Sequence, residues 1–216
     1  NPAIGSPKIA LEKWRTYLKN FGFGERLGSD FFNENRGFVP SSEYYDRIYN
    51  GSWGSLTVIS LGIGQGELLV TPLQMANMTA AIANRGYFYT PHVIKEIEGD
   101  SIPSRFNEKH YTGIDAEHFE PIVHGMYLAV NGDAGATARI ARIPGIEVCG
   151  KTGTAQNPHG KDHAIFIAFA PKEDPKIAIA VYVENAGFGA STAAPIASLM
   201  IERYLKESID PSRKWL

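Results

Sequence analysis

The sequence predicts an α+β fold in which an antiparallel sheet of at least three strands packs against a C-terminal helix. Residues 164–170 and 176–184 are rich in β-branched residues and alanine, and a turn of proline and charged residues separates them. The alternating residues 146–154 indicate a third strand. Apolar residues then recur at helical spacing over 196–204, and we expect this helix to cover one sheet face, which would otherwise be bare. The tail from Asp210 is expected to fray.

The sequence predicts one domain that has two parts of different composition. Residues 1–135 predict a mainly helical and loop-rich region, and residues 136–216 predict the sheet with its C-terminal helix. A serine and a proline at residues 6–7 are typical of a helix start, and apolar residues then recur at helical spacing. Residues 22–54, rich in glycine, asparagine, serine and aromatic residues, predict a long, mostly irregular segment.

Two further helices are predicted ahead of the sheet. Thr71-Pro72 opens the first, and Asn84-Arg85-Gly86 ends it with a glycine. Asp115 is placed to cap the second. Between these helices, residues 87–89 and 92–97 predict short strands.

Composition and charge exclude several classes of protein. The chain has 23 acidic and 21 basic side chains and a formal net charge of −2, so nothing resembles the basic surface of a nucleic-acid binder. No stretch approaches the roughly 18 consecutive apolar residues of a membrane span, and no signal peptide is recognisable. The single cysteine, Cys149, rules out an internal disulfide framework and leaves the cellular compartment open. Because the chain opens at Asn1 without methionine, we expect it to be a processed or trimmed piece.

The residues Lys151-Thr152-Gly153-Thr154 carry the strongest chemical signal. An acyl-transfer site for a peptide that ends in a carboxylate needs a cation, hydroxyls for that carboxylate and a backbone N–H aimed at the developing oxyanion. It also needs an open strand edge along which the peptide can lie. A Lys-Thr-Gly-Thr strand supplies all four, and its glycine leaves room for close approach to the backbone.

Several separated motifs follow one another along the chain. They are Gly64-Gln65-Gly66, Thr71-Pro72-Leu73-Gln74-Met75-Ala76, Asn84-Arg85-Gly86, Gly150-Lys151-Thr152-Gly153-Thr154-Ala155-Gln156, Phe169-Ala170-Pro171, Asp174-Pro175-Lys176-Ile177-Ala178 and Val183-Glu184-Asn185. In this order the motifs resemble those of class B penicillin-binding proteins. The resemblance runs from about Leu11 to Tyr204 and is closest to the elongation-type branch, penicillin-binding protein 2.

The resemblance implies part of the penicillin-binding/β-lactamase-like transpeptidase fold and a serine-type D,D-transpeptidase that cross-links peptidoglycan stem peptides. In such enzymes β-lactams acylate the catalytic serine. The resemblance places Lys151 in the active-site hydrogen-bond network and assigns the Thr154 N–H to the oxyanion hole. Thr152 and Thr154 would bind the substrate carboxylate, and Gly153 and Gln156 join the substrate-binding set.

The same resemblance extends to surroundings and partners. It implies a periplasmic location, a parent protein anchored in the bacterial inner membrane, and proteins of the elongation machinery as partners. Neither a metal nor a cofactor is implied. In the family further strands come from upstream, so we expect an exposed sheet edge and self-association through it.

One departure from the family pattern is serious. Family members also carry Ser-x-x-Lys, which supplies nucleophile and base, and Ser-x-Asn, and no serine of this chain fits either motif. In the family both motifs precede the matching stretch, so we expect them upstream of Asn1. The chain alone is therefore predicted to be inactive and to take up no penicillin covalently. The alternative is a non-catalytic relative that keeps the scaffold as an interaction module.

Other patterns in the same region favour less specific interpretations. Residues 145–152 match the P-loop pattern G-x-x-x-x-G-K-[ST], but they alternate like a strand and no helix is predicted after them. His159 and His163 could suggest a metal pair, although a loop separates them and further ligands are lacking. His163 instead stands just before the second strand, where it would line the active-site mouth. Cys149 is expected to be a small buried hydrophobic residue.

Overall fold

The structure, a computed structural model, describes residues 5–214 and confirms the α+β class. The helices are α1 (Pro7–Asn20), α2 (Ser42–Ile48), α3 (Ser55–Gly62), α4 (Pro72–Ala83), α5 (Glu120–Asn131) and α6 (Ala193–Lys206). The strands are β1 (Tyr87–Tyr89), β2 (Lys109–Tyr111), β3 (Cys149–Ala155), β4 (His163–Ala170) and β5 (Ile177–Val183). Single turns of 3-10 helix occur at Ser104–Phe106, Ala116–Phe119, Arg139–Ala141 and Pro211–Arg213. None of the helices between residues 5 and 214 combines the length and apolar character that a bilayer-spanning segment requires.

The described residues form two compact units. The first contains residues 5–74 and 89–113, and the second contains residues 75–88 and 114–214. In the first unit, α1, α2 and α3 surround a small core of Leu11, Tyr45 and Leu61. Aromatic residues of the segment predicted to be irregular pack against this core, which explains why α2 forms inside it.

Gln74 organises much of the irregular chain in the first unit. Its side chain is almost fully buried, and its Nε2 lies within 2.9–3.0 Å of the carbonyl oxygens of Gly22, Glu25 and Arg36. Its Oε1 accepts a hydrogen bond from the Thr71 backbone N–H at 3.1 Å. The two N–H groups of one amide side chain are thereby shared among three carbonyls that regular secondary structure leaves unpaired.

The prediction of a strand over residues 92–97 was wrong. The backbone N–H groups of Val93 and Ile94 donate to the carboxylate of Asp30 at 2.9–3.1 Å instead of to a neighbouring strand. A side chain from a distant loop has therefore replaced the strand partner that the apolar alternation suggested.

The sheet of the second unit has the order β3-β4-β5, with both pairs antiparallel, as predicted. On one face, alternate residues of β4, including Phe166 and Ala168, pack against Ala194, Ala197 and Ile201 of α6. On the other face, Phe169 and Cys149 pack against α5 through Val123 and Met126. Helices therefore cover both faces near the start of β3, while β3 and β5 form the two edges of the sheet within the described residues.

Residues 210–214 are more ordered than predicted, and residues 215 and 216 of the predicted tail lie outside the described residues. The short turn at Pro211–Arg213 buries the Arg213 side chain, which donates to Glu202 at 2.8 Å and to Ser198 at 2.9 Å. Glu202 is itself fully buried on α6. A buried carboxylate needs a cation, and this requirement holds the tail against the helix in place of the expected fraying.

Candidate active site

The residues Lys151-Thr152-Gly153-Thr154 lie in β3, as the sequence predicts. β3 pairs only with β4 among the described strands, in the register Lys151↔Ile167 and Gly153↔Ile165. An edge strand keeps half of its backbone N–H and C=O groups pointing away from its neighbour. The motif therefore lies along a sheet edge, the arrangement that adding a peptide strand requires.

Two glycines allow β3 to lie close to β4. A Cβ at position 150 would collide with the Phe166 ring, and a Cβ at position 153 would lie 3.2 Å from the Cβ of Ile165. Neither glycine has a positive φ, so close packing and not backbone conformation explains the residue type. The strand that carries the functional residues is thus fixed against a fully buried aromatic ring.

The pleat of β3 distributes the functional side chains over both faces. Lys151 and Gly153 lie on one face, and Thr152 and Thr154 lie on the other. Lys151 is exposed, and its Nζ donates to the Thr152 carbonyl oxygen at 2.6 Å. These groups can meet around one ligand only at the strand edge, because no single face carries all of them.

The structure brings Thr137, which the sequence interpretation did not single out, to the motif. The Thr152 hydroxyl donates to the Thr137 hydroxyl at 3.5 Å. The segment that carries Thr137 is held beside β3 by Asn131, whose Nδ2 donates to the Val148 carbonyl oxygen at 2.8 Å. Arg142 fixes the other end, where its Nε donates to the Val130 carbonyl oxygen at 2.9 Å. A threonine in a loop of small residues gives no periodic signal, so sequence patterns do not reveal it.

The loop between β5 and α6, residues 184–192, also reaches the motif. The backbone of Gly189 approaches the carbonyl oxygens of Gly153 and Ile165 so closely that a Cβ would collide with both. The neighbouring Phe188 is exposed. Gln156 follows β3 directly and is exposed at the start of the β3–β4 loop, residues 156–162. Two loops therefore flank the C-terminal end of the motif strand.

The structure excludes the P-loop interpretation and shows the surroundings of His163 and Cys149. Residues 145–152 form a turn, closed by the bridge of Ile143 with Ile146, followed by a strand, so the helix of a P-loop is absent. The Nδ1 of His163 accepts a hydrogen bond from the Asn185 backbone N–H at 3.1 Å. Cys149 is fully buried, and burial raises the pKa of its thiol to about 12. The thiol is a packing group, as predicted.

The comparisons with known proteins all point to one family. Residues 4–202 match the model of the penicillin binding protein transpeptidase domain. The chain is 33% identical to peptidoglycan D,D-transpeptidase MrdA of Haemophilus influenzae over 96% of its own length and 35% of the relative. It is 32% identical to the Acinetobacter baumannii protein of the same name over 92% of its length and 32% of that relative. The chain thus spans about a third of the length of the curated relatives it matches.

Solved structures agree with this comparison. Penicillin-binding protein 2 (PBP2) of Pseudomonas aeruginosa, in complex with WCK 5153, superimposes with a TM-score of 0.81 at 33% identity, over 95% of this chain and 45% of that one. PBP2 of Helicobacter pylori, in complex with MreC, gives a TM-score of 0.75 at 30% identity, over 91% of this chain and 37% of that one. The chain belongs to the family of penicillin-binding protein transpeptidase domains.

Proposed function

We propose that the chain is the substrate-aligning part of a peptidoglycan D,D-transpeptidase of the serine type. The observation that carries this proposal is the placement of Lys151-Thr152-Gly153-Thr154 at the edge of β3 in a chain of this family. The function of the MrdA relatives supports the same reaction class. The substrates would be peptidoglycan stem peptides, and β-lactams would compete for the same edge.

Each residue of the motif has a role that its position supports. The stem peptide lies along β3 as an added strand, and its terminal carboxylate accepts hydrogen bonds from the Thr152 and Thr154 hydroxyls. The Thr154 N–H stabilises the oxyanion that forms at the attacked carbonyl. Lys151 adds positive charge beside the reacting groups, and Gly153 and Gln156 border the bound peptide.

The nucleophile must come from outside these 216 residues. A serine oxygen attacks the D-Ala-D-Ala carbonyl carbon, D-alanine leaves, and the amine of a second peptide displaces the serine from the acyl-enzyme. Since no serine here stands three residues before a lysine, we propose that the isolated chain performs no acyl transfer.

Location and partners are also part of this proposal. We propose that the chain works in the periplasm, within a longer protein that is anchored in the inner membrane. The complex of the H. pylori relative with MreC supports a partner from the elongation machinery. A formal net charge of −2 argues against nucleic acid as a ligand.

A second function, a non-catalytic scaffold, is favoured by the absence of Ser-x-x-Lys from this chain. Labelling with a fluorescent penicillin separates the two functions when it is applied to the protein as its source cell makes it. We expect Lys151→Ala to lower the labelling rate by about a hundredfold or more. Lys176→Ala, in the exposed turn before β5, is the matched control and should leave the rate unchanged.

The possible outcomes of this experiment are distinct. An unaltered protein that takes up no penicillin would support the scaffold. Labelling that is insensitive to Lys151→Ala would leave the family function intact and disprove the role assigned to this lysine.

A further inference from the structure

A cluster of hydrogen bonds joins the two loops that flank the motif strand. The Asn157 Nδ2, in the β3–β4 loop, donates to the Asn185 Oδ1 at 2.7 Å. The Asn157 backbone N–H donates to the Asp162 carboxylate at 3.1 Å, which closes the β3–β4 loop on itself. The Gly187 backbone N–H donates to the Asp162 carbonyl oxygen at 2.8 Å. The β3–β4 loop and the β5–α6 loop are therefore tied together at two points.

His163 completes this cluster through a bond whose direction is fixed. The donor is the Asn185 backbone N–H, so the Nδ1 of His163 must be the acceptor. Only the neutral imidazole with its proton on Nε2 has that free lone pair. The ring also lies beside the Tyr182 ring, with centroids 5.3 Å apart. Protonation of the imidazole would place an N–H against the Asn185 N–H and break the bond.

The position of His163 connects this bond to the proposed site. His163 pairs directly with Ala155, the residue that follows Thr154 on β3. From Asn185 the β5–α6 loop continues to Gly189, whose backbone lies against the Gly153 carbonyl oxygen. Loss of the hydrogen bond to Asn185 would therefore loosen a loop that touches the motif strand itself.

We propose that His163 is a positioning residue whose neutral imidazole holds the β5–α6 loop against the Lys-Thr-Gly-Thr strand, and that its protonation releases this loop and slows acylation. The proposal rests on the transpeptidase function proposed above. It specifies how that site would respond to acid. The sign follows from the bond: the loop is held at higher pH and is released as the pH falls and the imidazole gains its proton.

The other charged and titratable groups around His163 do not make this bond. Tyr182 faces His163 from β5, and Glu184 faces it from the residue after β5. Burial, and to a lesser extent the charge of Glu184, raises the pKa of the Tyr182 phenol, so this phenol stays neutral in acid. Lys161 and Asp162 directly precede His163, at the end of the β3–β4 loop. On β3 the charged residue of the same face is Lys151, four residues from Ala155 and so roughly 13 Å along the strand. α6 packs on the opposite face.

Two substitutions at position 163 separate the acceptor from the charge. In His163→Asn, the amide oxygen can occupy the place of Nδ1 and accept from Asn185, and it does not titrate. In His163→Leu, no acceptor remains at any pH. His159→Gln is the matched control. Its imidazole is exposed in the neighbouring β3–β4 loop, and only its backbone N–H joins the cluster, where it donates to the Asn157 Oδ1.

The first measurement follows the Asn185 amide by nuclear magnetic resonance in the 216-residue chain between about pH 8 and about pH 5. We expect its chemical shift and its protection from hydrogen exchange to change with the protonation of His163. Neither should change in His163→Asn. An Asn185 amide that ignores the protonation of His163 would overturn the proposal without touching the transpeptidase function.

The second measurement follows acylation by a fluorescent penicillin in the protein as its source cell makes it. The acylation rate of wild type divided by that of His163→Asn should be near one at about pH 8. This ratio should fall about tenfold towards about pH 5, because wild type alone loses the hydrogen bond between Asn185 and position 163. His163→Leu should be slow throughout, and His159→Gln should follow wild type. A ratio that stays constant with pH would overturn the positioning role. A protein that takes up no penicillin would overturn both proposals. If the Asn185 amide still responded to the protonation of His163, the hydrogen bond would be confirmed and the proposed function alone would be the cause of the failure.

Discussion

The backbone of Gly189 lies against the carbonyl oxygen of Gly153, so that a Cβ at position 189 would come within 2.6 Å of that oxygen. Gly153 is the third residue of the Lys-Thr-Gly-Thr strand, and Gly189 belongs to the loop that leads into α6. A side chain cannot occupy this gap without moving backbone, because both neighbours are main-chain atoms. The contact fixes the loop on the strand and makes it a sensitive place to perturb the site.

Gly189→Ala should destabilise the chain by about 1–3 kcal/mol, the usual effect of overpacking. The loop and β3 must separate to admit the methyl group. The free energy of unfolding in urea provides the measurement. Gly125→Ala is the control, since a Cβ added to this helical glycine would meet nothing within 4 Å, and alanine there should stabilise by up to about 1 kcal/mol. Equal effects of the two variants would disprove the close contact.

The thiol of Cys149 should be unreactive in the folded chain. Burial raises its pKa to about 12 and outweighs the nearby cations of Lys172 and Arg85, so the nucleophilic thiolate is scarce at pH 8. Because the pKa in the folded state is raised, the thiol favours folding below the ordinary pKa of about 8.5, and this contribution is lost as the pH rises towards the raised value. Iodoacetamide should label the chain promptly in urea and hardly at all without it. Equal rates under both conditions would contradict the burial.

The regular parts of this fold could be predicted from sequence because their physical signals are local. β4 and β5 are rich in β-branched residues, aromatic residues and alanine, and α6 carries its apolar stripe at helical spacing, so pattern alone predicts them. The antiparallel pairing of β3 with β4 and of β4 with β5 is then expected, because the three strands are consecutive along the chain. The strand that carries the motif could therefore be predicted from the sequence alone.

The remaining features depend on contacts between residues far apart in sequence. Val93 lost its predicted strand to the carboxylate of Asp30, 63 residues away. Thr137 reaches Thr152 only because Asn131 and Arg142 hold its loop in place. Side chains that satisfy distant backbone groups leave no periodic trace, and sequence patterns cannot locate them.

Arg213→Ala should cost about 3–5 kcal/mol in the free energy of unfolding, because it leaves the fully buried carboxylate of Glu202 with only Lys206 at 3.5 Å. The double variant Glu202→Met with Arg213→Met should cost less than Arg213→Ala, since it removes both charges. Urea denaturation of the three chains tests this order. Asp174→Ala, which breaks an exposed ion pair with Lys176, should produce no measurable change. A double variant less stable than Arg213→Ala would contradict the account.

Tyr45→Phe should destabilise the first unit by about 1–3 kcal/mol. The Tyr45 ring is fully buried, and its hydroxyl donates to the Glu67 carboxylate at 2.5 Å. Burial and then this hydrogen bond hold the pKa of the Tyr45 phenol well above its usual range. The Tyr45 phenol should therefore ionise only at pH values where the protein unfolds. In a spectrophotometric titration, wild type and Tyr45→Phe should show the same number of ionised tyrosines while folded, and Tyr45→Phe should show one fewer after unfolding. Tyr49→Phe is the control, because its exposed hydroxyl makes a longer contact of 3.4 Å with the same carboxylate. A larger loss of stability in Tyr49→Phe would contradict the assignment.

The central claim is that this chain carries the substrate-aligning strand of a transpeptidase and not its nucleophile. Intact mass after incubation with a β-lactam tests it most directly, on the 216-residue chain and on the protein as its source cell makes it. We predict a stable adduct on the cellular protein and none on the chain. An adduct on the chain would contradict the absence of a nucleophile, and no adduct on either would contradict the transpeptidase function itself.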